Sequence, residues 1–170
     1  RLKSEWSAEV LTGDDERFHD ALKAAIWNGD IERRPGAIVR PVSASQVADI
    51  VKMASREECD ITISGGGHSF AGHAVADGAV MIDLAEMKGA SVDPEARTVR
   101  AEGGLNWAEL NGATAEHGLA VTGGAISTTG IAGLTLGGGL GWLMAKHGVA
   151  AGTLLGVELV NAPGRGLQGE

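Results

Sequence analysis

Cysteine is almost missing from this sequence: Cys59 is the sole thiol in 170 residues. That excludes a disulfide framework and any Cys-x-x-Cys metal or redox site. No apolar run approaches the ~20 residues that a membrane-spanning helix needs. No basic start followed by an apolar stretch marks a leader, so a cytoplasmic protein without a membrane partner is expected. Tyrosine is absent and the other aromatics are few, two Phe and four Trp, which leaves core filling to Val, Ile, Leu and Ala. Positive charge is also short: 14 Lys and Arg stand against 22 Asp and Glu, for a net −8. Such a chain makes a poor nucleic-acid partner. There is no Gly-Lys pair, which rules out a P-loop. The five histidines include no His-Glu-x-x-His arrangement, and no metal site is expected.

Glycine is what the chain has in quantity. Gly123 to Gly141, GGAISTTGIAGLTLGGGLG, carries eight glycines in nineteen residues. In ordered backbone each costs roughly 0.5–1 kcal/mol relative to alanine. Accepting that cost implies unusual φ angles, or a backbone that something approaches without meeting a Cβ. Ser64 to Gly72, SGGGHSFAG, has the same character. The expectation is two loops converging on one extended anionic cofactor, its phosphates held by backbone N–H groups rather than by a basic patch. The dinucleotide fingerprint G-x-G-x-x-G fails at each start, because the sixth position is Phe70, Trp142 or Met144. Gly67-His68-Ser69-Phe70-Ala71 nearly matches the nucleophile elbow G-x-S-x-G, but the last glycine is displaced to Gly72 and no helical pattern follows. A serine hydrolase using Ser69 stays as a remote alternative.

In chain order, the pattern predicts a helix from Asp14 to about Trp27 and a strand at Ala37–Arg40. A helix capped by Ser43 or Ser45 runs to about Glu57, and a strand at Ile61–Ile63 enters the first glycine loop. This βαβ order implies parallel strands. Further strands are expected at Ala79–Ile82 and, as a hairpin around Asp93-Pro94-Glu95-Ala96, at Val92 and Thr98–Ala101. A helix capped by Asn106 runs to about His117 and is ended by Gly118. Short helices at 131–136 and 142–147 and a last strand at 154–160 complete the pattern. His19, His117 and His147 are read as solvated helix positions and His73 as loop packing. Trp142 is read as core and Cys59 as structural, whereas His68 follows three glycines at a strand end. The domains are expected as residues 1–13, an extension; 14–88, a first lobe; 89–160, a partial second lobe; and 161–170, a tail without periodicity.

Ser64–Gly72 and Thr128–Trp142 together resemble the FAD-binding domain of the vanillyl-alcohol oxidase / p-cresol methylhydroxylase superfamily. Within it they are most similar to berberine-bridge-enzyme-like FAD-linked oxidases. Trp27-Asn28, Arg40-Pro41, Met81–Leu84 and Lys146–Gly148 resemble the same family's recurrent segments. The resemblance implies an α+β fold, the two-lobed PCMH-type FAD-binding domain. In it a small parallel-sheet lobe is followed by a larger mixed-sheet lobe, here incomplete at its C-terminus. It implies that the loop Ser64 to Ser69 wraps the pyrophosphate, that Gly65, Gly66, Gly67, His68, Ser69 and Gly72 bind the cofactor, and that His68 is bonded covalently to the flavin C8 methyl. Ala125, Ser127, Thr128, Gly130, Gly133, Gly137, Gly138 and Gly139 would line pyrophosphate, ribityl chain and isoalloxazine. The cysteine that gives some members a second bond is replaced by Ile126, so a singly attached flavin is expected.

The implied reaction takes hydride from a C–H beside an alcohol or amine of a small molecule and passes the electrons to dioxygen. Three departures stand out. Ser64 replaces the usual arginine, and Ala151-Gly152-Thr153 replaces a Cys-Asp-Asn type of triplet. The tail after Val160 leaves the family pattern, and with it go the substrate domain and its catalytic base. No catalytic residue is therefore assigned. A non-catalytic flavin-binding fragment is the alternative, and an unfinished second lobe would favour self-association through its sheet edge.

Overall fold

The computed structural model describes residues 8–169. Its first half is built on a four-stranded sheet of β1 (Glu9–Leu11), β2 (Ala37–Arg40), β3 (Ile61–Ser64) and β4 (Val80–Asp83), in the order β1-β2-β4-β3. β2 and β3 both run parallel to β4, which is inserted between them, and β1 pairs antiparallel with β2. Side chains alternate across a strand, and the sheet uses both faces. Leu11, Ile38 and Met81 pack with Phe18, Ala21 and Ala25 at the helix α1 (Phe18–Ala24). Val39, Val80 and Ile82 pack on the other face with Ile50 and Val51 of α2 (Ala44–Arg56). Burial on both faces explains why β2 and β4 read as unbroken apolar runs. Ser43 caps α2 by accepting from the Gln46 N–H.

The second half holds the hairpin β5 (Ala90–Asp93) and β6 (Thr98–Ala101), then α3 (Trp107–Ala115), α4 (Ile131–Leu136) and α5 (Met144–His147). A second hairpin, β7 (Val157–Val160) and β8 (Gly166–Gly169), follows. Leu105, Trp107, Leu110, Ile131 and Ala150 form its core. The second lobe's sheet is thus represented by two separate antiparallel hairpins. They are linked by an ion pair from Arg100 on β6 to Glu158 on β7.

Several expectations change. Glu9–Leu11, placed in a featureless extension, is the edge strand β1; residues 1–7 of that extension lie outside the described residues. The tail after Val160 is not structureless: its residues 166–169 pair as β8, and Val160 packs against the cluster around α2. Glycines at both ends of β8 hid a strand that owes its existence to its partner. Trp142, read as core, is 85% exposed. It belongs to a run of exposed apolar side chains that includes Leu136, Leu140 and Leu155. Cys59 and His73, expected to be structural and packed, are both exposed.

Candidate functional site

The parallel strand β3 delivers the first glycine loop to the sheet's C-terminal edge, the usual place for ligands in such sheets. There it meets the second glycine motif directly. A Cβ on Gly66 would lie 2.3 Å from the backbone N of Gly130, and one on Gly130 would lie 2.8 Å from the N of Gly66. The two loops therefore cross backbone on backbone, at a separation that only a pair of glycines allows. Gly130 is fixed in turn by the Ile131 N–H, which donates to the Leu105 carbonyl at 2.9 Å, and by a bridge to Asn106.

Beside the crossing lies a cavity of about 290 Å³. Ser64–Gly67, Ala24, Ala25, Gly104, Asn106 and Thr128 line it, together with Arg40, Asp83, Ala85 and Lys88. Among the described residues, no protein acceptor takes the N–H groups of Gly66, Gly67 or His68. Successive free amides of this kind form an anion-binding concavity. The N-terminus of α3 does not add to it. Its Trp107 and Ala108 N–H groups donate to the carbonyls of Thr129 and Ser127, and Asn106 takes the Glu109 N–H.

Both cations at the cavity are already paired. Arg40 Nε lies 2.9 Å from the buried Asp83 carboxylate, with Glu9 3.5 Å from its Nη1. Burial alone would lower the Arg40 pKa, but the bonds to Asp83 and Glu9 outweigh it and raise it. Lys88 Nζ lies 2.7 Å from Glu109. Glu109 also closes the capping box of α3 by accepting the Asn106 N–H at 2.8 Å. Partial burial raises the Glu109 pKa, yet Lys88 and the Asn106 amide together bring it below the ordinary glutamate value. A carboxylate with a lowered folded pKa contributes stability above its unfolded value and loses it as the pH falls through the folded value. Acid titration of wild type and Glu109→Gln, followed by helical circular dichroism, is expected to show the two converging at the acid end. A gap that stays constant with pH would contradict this.

His68 is not itself among the lining residues, but it follows Gly67 of the lining directly. Its Nε2 lies 2.9 Å from Thr128 Oγ1, so the attachment candidate of one motif touches the other motif. Ser69 Oγ accepts the His73 N–H at 2.9 Å, and a turn follows it. It is the cap of a turn, not a serine poised at the head of a helix, and it lacks the geometry of a nucleophile elbow. Gly72 is buried under Ile31, away from the cavity lining. Ala125, Ser127 and Gly133 are exposed and also lie outside that lining.

The Gly137–Gly139 turn is not brought to this cavity. It begins at the far end of α4, whose near end is Gly130; six residues of helix span about 9 Å. Gly138 and Gly139 accept the N–H groups of Ala151 and Ala150, each at 2.9 Å. The φ of Gly139 is +75°, and a Cβ added there would lie only 2.4 Å from that of Ala150, so this glycine is required by packing in its own right. Ala24, Ala25, Arg40, Asp83, Lys88, Gly104 and Asn106 line the cavity and were missed by glycine spacing. The signal for Arg40 and Asp83 was present, as opposite charges ending two apolar strands.

Comparison with known proteins decides the family. Residues 35–168 match the FAD binding domain family, most of the chain and including the β7–β8 hairpin. The chain belongs to this FAD binding domain family. The superfamily resemblance carried by its glycine motifs is thereby borne out. The chain is 38% identical over 156 residues to (R)-6-hydroxynicotine oxidase of Paenarthrobacter nicotinovorans, covering 92% of this chain and 34% of that protein. It is 31% identical to Berberine bridge enzyme-like 18 of Arabidopsis thaliana, over 95% of this chain and 32% of the relative. Among solved structures, BBE-like 1 of Physcomitrella patens superposes with a TM-score of 0.94 at 28% identity, covering 99% of this chain and 37% of that one. 6-Hydroxy-D-nicotine oxidase of Arthrobacter nicotinovorans gives 0.92 at 35% identity, covering 96% and 36%. This FAD binding domain chain thus spans about a third of the length of the relatives it matches. Among the described residues no helix is long and apolar enough to cross a membrane, and no group of three or more His, Cys, Asp or Glu could hold a metal ion.

Proposed function

We propose that this chain is the FAD-binding portion of an FAD-linked oxidase, with the flavin held by one covalent bond from His68. The observation that carries it is the Gly66–Gly130 crossing. It sets free amides, a cavity and His68 side by side, where Cβ atoms on either strand would close the gap. The amides of Gly66, Gly67 and His68 are suited to the pyrophosphate, since the neighbouring cations are spent on Asp83 and Glu109. When bound, the flavin would supply hydride acceptance and the reduction of dioxygen to hydrogen peroxide.

The chain's own part is to hold, orient and attach that group. In attachment His68 would give up its imidazole proton, and the flavin would supply the methyl carbon and pass two electrons to dioxygen. A second, thioether bond has no support, because the only thiol, Cys59, lies beyond α2 and Ile126 stands in the second motif. The substrate is proposed as a small molecule with a C–H beside an amine or alcohol, consistent with nicotine oxidase among the relatives' names. Its pocket and catalytic base belong to sequence outside these residues. Intact mass and an absorption spectrum after expression with FAD test the reading. The expected result is one FAD added per chain, with flavin bands that survive denaturation. A chain of unmodified mass that binds no flavin at all would overturn it.

A further inference from the structure

His68 is held on two sides, and its two nitrogens differ. Nε2 faces Thr128 Oγ1 at 2.9 Å. Among the described residues Nδ1 has no hydrogen-bond partner. One ring face stacks on Trp27, with centroids 6.0 Å apart and planes 15° from parallel. Trp27 is tied to the same loop, since its N–H donates to the Gly67 carbonyl at 2.7 Å. Stacking fixes the ring plane, and Thr128 fixes the rotation within it. A half-turn about χ2 would put a carbon where Nε2 now stands and lose the Thr128 bond.

We propose that Thr128 is the positioning residue that presents Nδ1 of His68 to the flavin and takes the proton that Nε2 must give up. This rests on the FAD reading above. A neutral imidazole carries one N–H and one lone pair. For Nδ1 to attack, its lone pair must be free, so Nε2 carries the hydrogen and donates it to Thr128 Oγ1. After Nδ1 has bonded to carbon, a neutral ring requires Nε2 to have lost that hydrogen, and Nε2 then accepts. Its partner must therefore change from acceptor to donor. A hydroxyl does this by rotating, whereas a backbone carbonyl or a carboxylate cannot. In the balanced step one N–C bond forms and one methyl C–H breaks, its hydrogen leaving as a proton; that proton and the one from Nε2 match the two that dioxygen takes up. The Nε2 proton passes to the Thr128 oxygen, whose own proton goes to solvent. The two electrons go to dioxygen, which becomes hydrogen peroxide. Thr128 is exposed, so the route to solvent is open.

Two measurements test the proposal on the full chain. In unliganded protein carrying 15N-histidine, the His68 Nε2–H is expected as a slowly exchanging resonance in wild type and Thr128→Ser, and as a fast-exchanging one in Thr128→Val. At saturating FAD, Thr128→Val is expected to slow covalent incorporation by roughly a hundredfold or more, as loss of a positioned proton acceptor does, and Thr128→Ser to restore it. The flavin peptide cut from wild type is expected to carry its bond at Nδ1. A bond at Nε2, or Thr128→Val incorporating flavin at the wild-type rate, would overturn the proposal. If no variant bound FAD, the broader reading would fall instead; an Nε2–H unaffected by Thr128→Val would separately refute the ring assignment.

Discussion

Gly66→Ala protein is expected to lose the flavin site and about 3 kcal/mol of stability, the upper part of the range for overpacking. The added methyl would stand 2.3 Å from the Gly130 nitrogen and 2.5 Å from its Cα. Both obstacles are backbone, so no rotamer change relieves them. Gly130 cannot retreat either, because its neighbours Thr129 and Ile131 are tied to Trp107 and Leu105. The second motif must move as a body, taking Thr128 from His68. Gly112→Ala is the matched control. Gly112 lies inside α3, where nothing stands within 4 Å of an added Cβ, and alanine there should stabilise by roughly 0.5–1 kcal/mol. Urea denaturation and flavin content of the two variants check both halves. Equal stability of the two would mean that the crossing is not under the constraint described.

His68→Ala protein is expected to keep the flavin site but to lose covalent retention of the flavin. Wild type should keep its yellow colour in the pellet on acid precipitation, and the variant should release all of it to the supernatant. The substitution is mild for the fold, since His68 is only half-buried and its contacts are one hydrogen bond and one stack. Loss of colour from the pellet would therefore report attachment rather than unfolding, and an unchanged thermal transition of the unliganded chain would confirm that. Colour remaining in the variant's pellet would remove His68 from the role.

Much of the scaffold was legible because its signals are local. The Ser43 and Asn106 caps, the turn at Asp93–Ala96 and the apolar runs of β2 and β4 are each written within a few neighbouring residues. The 131–136 helix was visible even among glycines. The misses depend on distant partners. β1 is three residues that become a strand by pairing with β2, and β8 is a glycine-bounded segment that becomes one by pairing with β7. Trp142 was read as core, rather than as a stacking surface for a ring system, because a Trp beside a glycine turn is more often packed, yet nothing in the described chain covers it. At the site, glycine spacing located both loops and His68. It could not tell Gly66 and Gly130, which meet at the crossing, from Gly139, which packs on Ala150. The two uses of a missing side chain look alike in sequence. Arg40 and Asp83 showed as charges ending two apolar strands, but that they pair, and that Lys88 pairs with Glu109, was out of reach because each pair is assembled from separate elements.

The contact of Gly66 with Gly130 also closes a ring of chain. Between those points lie β4, the β5–β6 hairpin and α3, all enclosed by one touch of main chain on main chain. No shorter segment of the polypeptide can assemble the proposed flavin cradle during synthesis, because its second wall leaves the ribosome only after every enclosed element has been made. A protease cut in the tip at Pro94–Arg97 would, by the same topology, leave two pieces that each carry one wall, and the cradle would persist only while they stay together.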